Sequence, residues 1–169
     1  MLRSFLLVLL LAATAASAQV IVPTDARNPL GAAKSRYLAS HATDPVRWYS
    51  WTPATLAIAK KANRPVFLSI GYASCHWCHV MHRESFRNGE IAELLNAYFT
   101  PILIDREEHP ELDATYLAFV ERMTGAAGWP ANLILTPDLE PVVGATYLAP
   151  DALNRLLVVM SNRWASERA

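Results

Sequence analysis

Cysteine is nearly absent from this chain. Only Cys75 and Cys78 occur among its 169 residues, three positions apart. That excludes a small scaffold held together by several disulfides. No charge of either sign is in excess, since basic and acidic side chains each number 15. A nucleic-acid surface, which needs a basic surplus, is therefore not expected. Outside the N-terminus there is no apolar run near the roughly 20 residues that cross a bilayer. Internal repeats and a low-complexity tail are also lacking.

The N-terminus is the exception. Arg3 is followed by the apolar run Phe5 to Ala13 and then by Ala16-Ser17-Ala18. A basic start, a short apolar centre and a small-residue site of the A-x-A kind make a secretory signal peptide. Residues 1–18 are expected to be removed, so that the mature chain begins at Gln19 in a periplasmic or secreted location. The run is short for a membrane span, and no stable insertion is expected after cleavage. Cleavage takes away Arg3 alone among the charged residues, leaving one more acid than base. About 150 residues remain, enough for one domain with its own core.

Residues 19–51 carry Pro23, Pro29 and Pro45 and a late aromatic group, Tyr37, Trp48, Tyr49 and Trp51. They are expected to form an irregular arm that packs across the domain at 52–169, with His41 a hydrogen-bonded residue of the arm. Thr52-Pro53 opens a helix as N-cap and first position. Val66 to Ile70 is a buried central strand. A helix is expected from Cys75 to about Phe86, broken at Asn88-Gly89 and resumed over 90–98. Pro101 to Asp105 is the next strand and Pro110 begins the next helix. Strands are expected over 132–136 and 142–147, then a terminal amphipathic helix over 151–164. Strand–helix alternation ending in a hairpin and a helix points to an α/β domain with a central mixed sheet flanked by helices.

The chain is organised around Arg64 to His82, RPVFLSIGYASCHWCHVMH. An apolar strand runs through a small loop into Cys75-His76-Trp77-Cys78 at the start of a helix. A free thiol has a pKa of roughly 8.5, and reactive thiols in such motifs fall to roughly 3.5–7. A helix N-terminus contributes at most about 2 kcal/mol towards the thiolate. A larger shift needs help, which the Cys78 thiol can give as a donor and His76 as a close positive charge when it is protonated. Cys75 is thus the expected attacking thiol, accessible at the helix start, and Cys78 the shielded, resolving one. As a structural staple the pair is poor, because a four-residue loop yields only about 2 kcal/mol.

Five stretches resemble one known family in order: SRYLASHATDPVRWYSW (35–51), FLSIGYASCHWCHVMHRESF (67–86), DREEHP (105–110), MTGAAGWP (123–130) and GATY (144–147). The chain is similar over roughly residues 28–150 to the thioredoxin-like domain of the DsbH-type, spermatogenesis-associated thioredoxin-like proteins. The resemblance implies a thioredoxin-like fold with Cys75 and Cys78 as the redox pair. It places Trp129-Pro130 in the loop facing them, with Pro130 the cis-proline. In such folds the backbone before that proline pairs with an extended client by strand addition. Trp129 can instead belong to the core. Where the fold often buries an acid, six residues before the first cysteine, this chain has Ser69. Asp105 is a candidate substitute, or simply a strand-end cap. The chain departs from its relatives at Asp44-Pro45-Val46-Arg47, at His109 and at Ala126-Ala127. Relatives often carry a long helical, sugar-epimerase-like region after this domain. This sequence is expected to be a standalone form without that region, and nothing that depends on the region carries over.

Two rivals stand beside a redox role. Cys75-x-x-Cys78-His79 fits a c-type haem attachment signature. Cys75 with His79, and Cys78 with His82, are each four apart on a helix, and two thiolates with two imidazoles suit zinc or copper. A non-catalytic thioredoxin-like binding module is a third possibility. The expectation is an exported thiol–disulfide oxidoreductase that needs no cofactor. Its nucleophile is Cys75 and its resolving residue Cys78, with His76, Trp77, Trp129, Pro130 and Asp105 in support. Its partners are protein thiols or disulfides and an unidentified redox partner.

Overall fold

The computed structural model describes residues 28–167. The expected signal peptide, and the cleavage site within it, lie outside the described residues. After a 3-10 turn at Pro29–Ala32, the order is α1 (Arg36–Ser40), α2 (Pro53–Ala62), β1 (Val66–Gly71), α3 (His76–Met81), a π turn (His82–Phe86), α4 (Gly89–Tyr98), β2 (Thr100–Asp105), α5 (Pro110–Thr124), β3 (Ala131–Leu135), β4 (Pro141–Ala145) and α6 (Pro150–Ser166). No described helix is long and apolar enough to cross a membrane.

The sheet runs β2-β1-β3-β4. Strand β1 pairs in parallel with β2, Gly71 opposite Asp105, and antiparallel to β3, Ile70 opposite Ala131. Strand β4 completes the hairpin with β3. Every residue of β1, β2 and β3 is buried. That is the burial expected of strands covered by helices on both faces, and it explains their nearly continuous apolar runs. Successive residues of β1 point to opposite sides. Phe67 faces one core with Cys75, Cys78, Met81 and Phe86, while Val66, Leu68 and Ile70 face another with Tyr116 and Val120. Removing a buried ring such as Phe86 would cost about 3–5 kcal/mol.

The stretch expected as an irregular arm holds regular structure in its described part. Ser35 caps α1, its hydroxyl accepting from Leu38 N–H at 3.1 Å. Asn28 donates through its side chain to the His41 and Val46 carbonyls, and Asn96 of α4 donates to the Pro45 carbonyl. Tyr49 forms a bridge with Ile102, extending the sheet past the outer edge of β2. Leu30, Tyr37, Val46 and Trp48 are buried with Phe67 and Phe86. The helix expected from Cys75 to Phe86 also differs. It is α-helical only to Met81 and then widens into the π turn, which buries Ser85 and Phe86.

Candidate functional site

Cys75 and Cys78 are joined as a disulfide, with their Cα atoms 5.3 Å apart. Cys75 is the N-cap of α3, and its sulfur accepts the Cys78 backbone N–H at 3.2 Å. A hydrogen bond of this kind favours a sulfur that carries negative charge. In the disulfide form both cysteines are buried, Cys75 at 4% exposure and Cys78 at 1%. The expected accessibility of Cys75 is therefore not a feature of the oxidised chain. The exposed members of the motif are His76 and Trp77 between the two cysteines. Trp77 is 52% exposed and packs 4.9 Å from the Tyr147 ring, whose hydroxyl donates to Glu84 at 2.7 Å.

The loop before β3 lies beside this motif. The Trp129–Pro130 peptide bond is cis. Because Ile70 faces Ala131, Pro130 stands at the level of Gly71, where β1 turns into the cysteine loop. Trp129 is half-buried and fixed from several sides. Its indole N–H donates to Asp113 Oδ1 at 2.7 Å. The Arg106 guanidinium lies 4.0 Å from its ring centroid and binds Asp113 Oδ2 at 3.1 Å. Tyr72 meets it edge-on at 5.7 Å. Trp129 thus both packs against the core and shapes the loop. Arg106 and Asp113 escaped the sequence, since no local pattern links α5 to a loop after it.

Asp105 is buried at the end of β2. One carboxylate oxygen accepts the Ser35 hydroxyl at 2.6 Å and the other accepts Glu107 N–H at 3.0 Å. It closes the turn after the strand and ties α1 to the sheet. Ser69 is fully buried on the Cys75–Cys78 side of β1, and its hydroxyl has no partner among the described residues.

The helix-face grouping of Cys75, Cys78, His79 and His82 is not what the side chains form. His79 Nε2 lies 2.7 Å from the Ala73 carbonyl. His82 Nε2 lies 2.6 Å from Asp44 Oδ1. Haem attachment through Cys75, Cys78 and His79 would require the disulfide and the His79 contact to be given up, and a four-residue metal site the His82 contact as well. His82 instead joins a buried cluster the sequence did not announce. His41 Nδ1 is 2.7 Å from Asp44 Oδ2, which also accepts the Trp48 indole N–H at 3.0 Å. The His41 and His82 rings are 3.9 Å apart. Among the described residues these three are the group whose ligand-type atoms all lie within 4.8 Å of one another. Asp44 is already satisfied by three N–H donors, as a buried carboxylate requires. Burial raises the Asp44 pKa, but the hydrogen bonds from His41 and His82 outweigh it and hold the group below its usual range. Burial pushes His41 down, so it stays neutral, against the pull of Asp44.

The comparisons with known proteins agree with this architecture. An uncharacterized protein of Caenorhabditis elegans is 50% identical over 125 residues, which cover 74% of this chain. Spermatogenesis-associated protein 20 of Rattus norvegicus is 49% identical over 135 residues, covering 79% of this chain. The aligned part spans only 17% of the length of each of these relatives. Among solved structures, a DsbH oxidoreductase superposes with a TM-score of 0.56 at 16% identity, covering 69% of this chain and 85% of its own. A thioredoxin from Thermus thermophilus superposes with a TM-score of 0.57 at 20% identity, covering 74% and 94%. The fold is therefore thioredoxin-like. Residues 27–169 match the family described as Thioredox_DsbH, protein of unknown function, DUF255, and the chain belongs to that family.

Proposed function

We propose that the chain is an exported thiol–disulfide oxidoreductase acting on protein thiols and disulfides. The observation that carries this reading is the Cys75–Cys78 disulfide at the N-terminus of α3, with the Cys78 N–H already turned to the Cys75 sulfur. In the reducing direction the Cys75 thiolate attacks a client disulfide. One client sulfur leaves as a thiol after taking up a proton, and a mixed disulfide joins Cys75 to the other. Cys78 then attacks Cys75 Sγ, the second client sulfur leaves, and the Cys75–Cys78 bond re-forms. Two electrons pass from the dithiol to the client, and the reverse sequence oxidises it. No cofactor enters either direction.

Trp77 and His76 are the exposed side chains of the motif and the natural first contacts of a client. The segment at Trp129-Pro130 offers backbone for an extended client strand. Bound to Asp113 and covered by Arg106, it would meet the client without first having to be ordered. Export rests on the leader-like residues 1–18 and supplies an oxidising compartment.

The test is catalysed disulfide exchange. The chain should accelerate reduction of insulin by dithiothreitol, and Cys75→Ser should abolish the acceleration. A folded chain with no effect on the rate would argue for a non-catalytic thioredoxin-like module.

A further inference from the structure

Tyr37 is buried in α1 beside the cysteine motif, and its hydroxyl has no hydrogen-bond partner among the described residues. An unpaired buried hydroxyl costs roughly 1–3 kcal/mol, so its position calls for a cause. Gly71, at the end of β1, shows what it faces. A Cβ built there would press into the Tyr37 hydroxyl oxygen and come within 2.9 Å of Cys78 Sγ. Only a residue without a side chain lets the phenol and the resolving sulfur share this space. The placement is also held firmly. Ser35, two residues before Tyr37, caps α1 and donates to Asp105, which stands opposite Gly71 in the sheet.

In the disulfide Cys78 Sγ carries no charge and asks little of a donor. During resolution it must become a thiolate inside the core, where charge without a partner is costly. We propose that the Tyr37 hydroxyl is the hydrogen-bond donor that steadies the Cys78 sulfur as an anion in the resolving step. This rests on the oxidoreductase reading above. As the Cys75–client bond breaks and the Cys75–Cys78 bond forms, the client sulfur leaves with the electron pair. The proton Cys78 has given up returns to the client sulfur through solvent, so protons and electrons balance. Tyr37 donates and does not itself ionise, because burial, and then the charges of Asp105 and Asp44, push its pKa upward. The titratable ring that meets Tyr37 is His41, edge-on at 5.1 Å, and His41 in turn is bound to Asp44 and lies 3.9 Å from the His82 ring. Asp105 already accepts from Ser35 and Glu107. With Ser69 standing where the fold often has a buried acid, Tyr37 acts as a donor to the thiolate rather than as a base. It is a positioning residue for the Cys78 charge.

The experiment loads Cys75 with glutathione and follows its release by Cys78 across pH, in the otherwise native chain and in Tyr37→Phe. Release follows the thiolate fraction of Cys78. Losing one hydrogen bond to a charged sulfur should displace the profile upward by about one pH unit, read as a release about tenfold slower at a given pH. The oxidised Tyr37→Phe chain should unfold at no lower temperature, since it loses only an unpaired hydroxyl. Ser69→Ala, which removes the other unpaired buried hydroxyl among the described residues, should leave the profile in place. Superimposable profiles for Tyr37→Phe and the parent would overturn the inference and leave the oxidoreductase reading intact. A displacement by Ser69→Ala alone would assign the role to Ser69 instead. A parent chain that never releases glutathione would remove the oxidoreductase reading and this inference together.

Discussion

The indole N–H of Trp129 donates to Asp113 Oδ1 at 2.7 Å, so the loop opposite the cysteine pair is anchored to α5. Arg106 closes the arrangement by binding the other oxygen of Asp113 and lying over the Trp129 ring. Asp113 is buried, and a hydrogen bond to a charged group contributes about 1.5–3 kcal/mol.

Trp129→Phe keeps a ring in the loop and removes this one bond. The expected outcome is a loss of about 2 kcal/mol, or roughly 5 °C in thermal midpoint. Slower reaction with an extended protein client should accompany it, with little change toward glutathione, which needs no strand pairing. Differential scanning calorimetry and parallel rate measurements check both. Equal slowing toward glutathione would place the effect at the cysteines rather than at the backbone proposed to pair with a client.

A second prediction concerns pH and the His41–Asp44–His82 cluster. His41 has a folded pKa below its ordinary 6.5. The unfolded chain therefore binds the extra proton first, and stability present above pH 6.5 is lost as pH falls from there toward the folded value. Asp44 is depressed below 3.8, and its contribution persists above that value and disappears at still lower pH. Both signs agree, so acid destabilises the fold, beginning just below neutrality. Urea midpoints between pH 8 and pH 4 measure this. His41→Asn should flatten the upper part of the curve. A stability that rose on acidification toward pH 5 would contradict the assignment of a neutral, buried His41.

A third prediction concerns export. Intact-mass analysis of protein made by an exporting host should give a chain beginning at Gln19, from the Ala16-Ser17-Ala18 site. A product retaining residues 1–18 would remove the proposed location while leaving the fold untouched.

What could be read from the sequence follows from range. Val66 to Ile70 is almost entirely apolar, and β1 is buried at every position. Thr52-Pro53 carries its own helix start, and the Thr52 hydroxyl caps α2 as such a residue should. The two cysteines lie three apart after an apolar strand, and the structure joins them at the start of α3. The rest of the site is made by distant partners. His82 looked like a neighbour of Cys78 on one helix face, but the π turn that begins there sends it to Asp44. Tyr37 read as one aromatic among four in an arm. Only the sheet register, which sets Gly71 opposite Asp105, brings it to Cys78. A glycine ending an apolar strand was the one visible trace of that close approach.

The proposed exchange of disulfides between the Cys75–Cys78 pair and client proteins can be caught in the act. The most direct measurement is covalent trapping by the Cys78→Ser chain, expressed in a host that exports proteins carrying such a leader. Without the resolving thiol, Cys75 should remain joined to its clients. Adducts should appear on non-reducing gels and vanish on reduction, and Cys75→Ser should give none. A folded, exported Cys78→Ser chain that traps neither protein nor small thiol would contradict the proposed exchange.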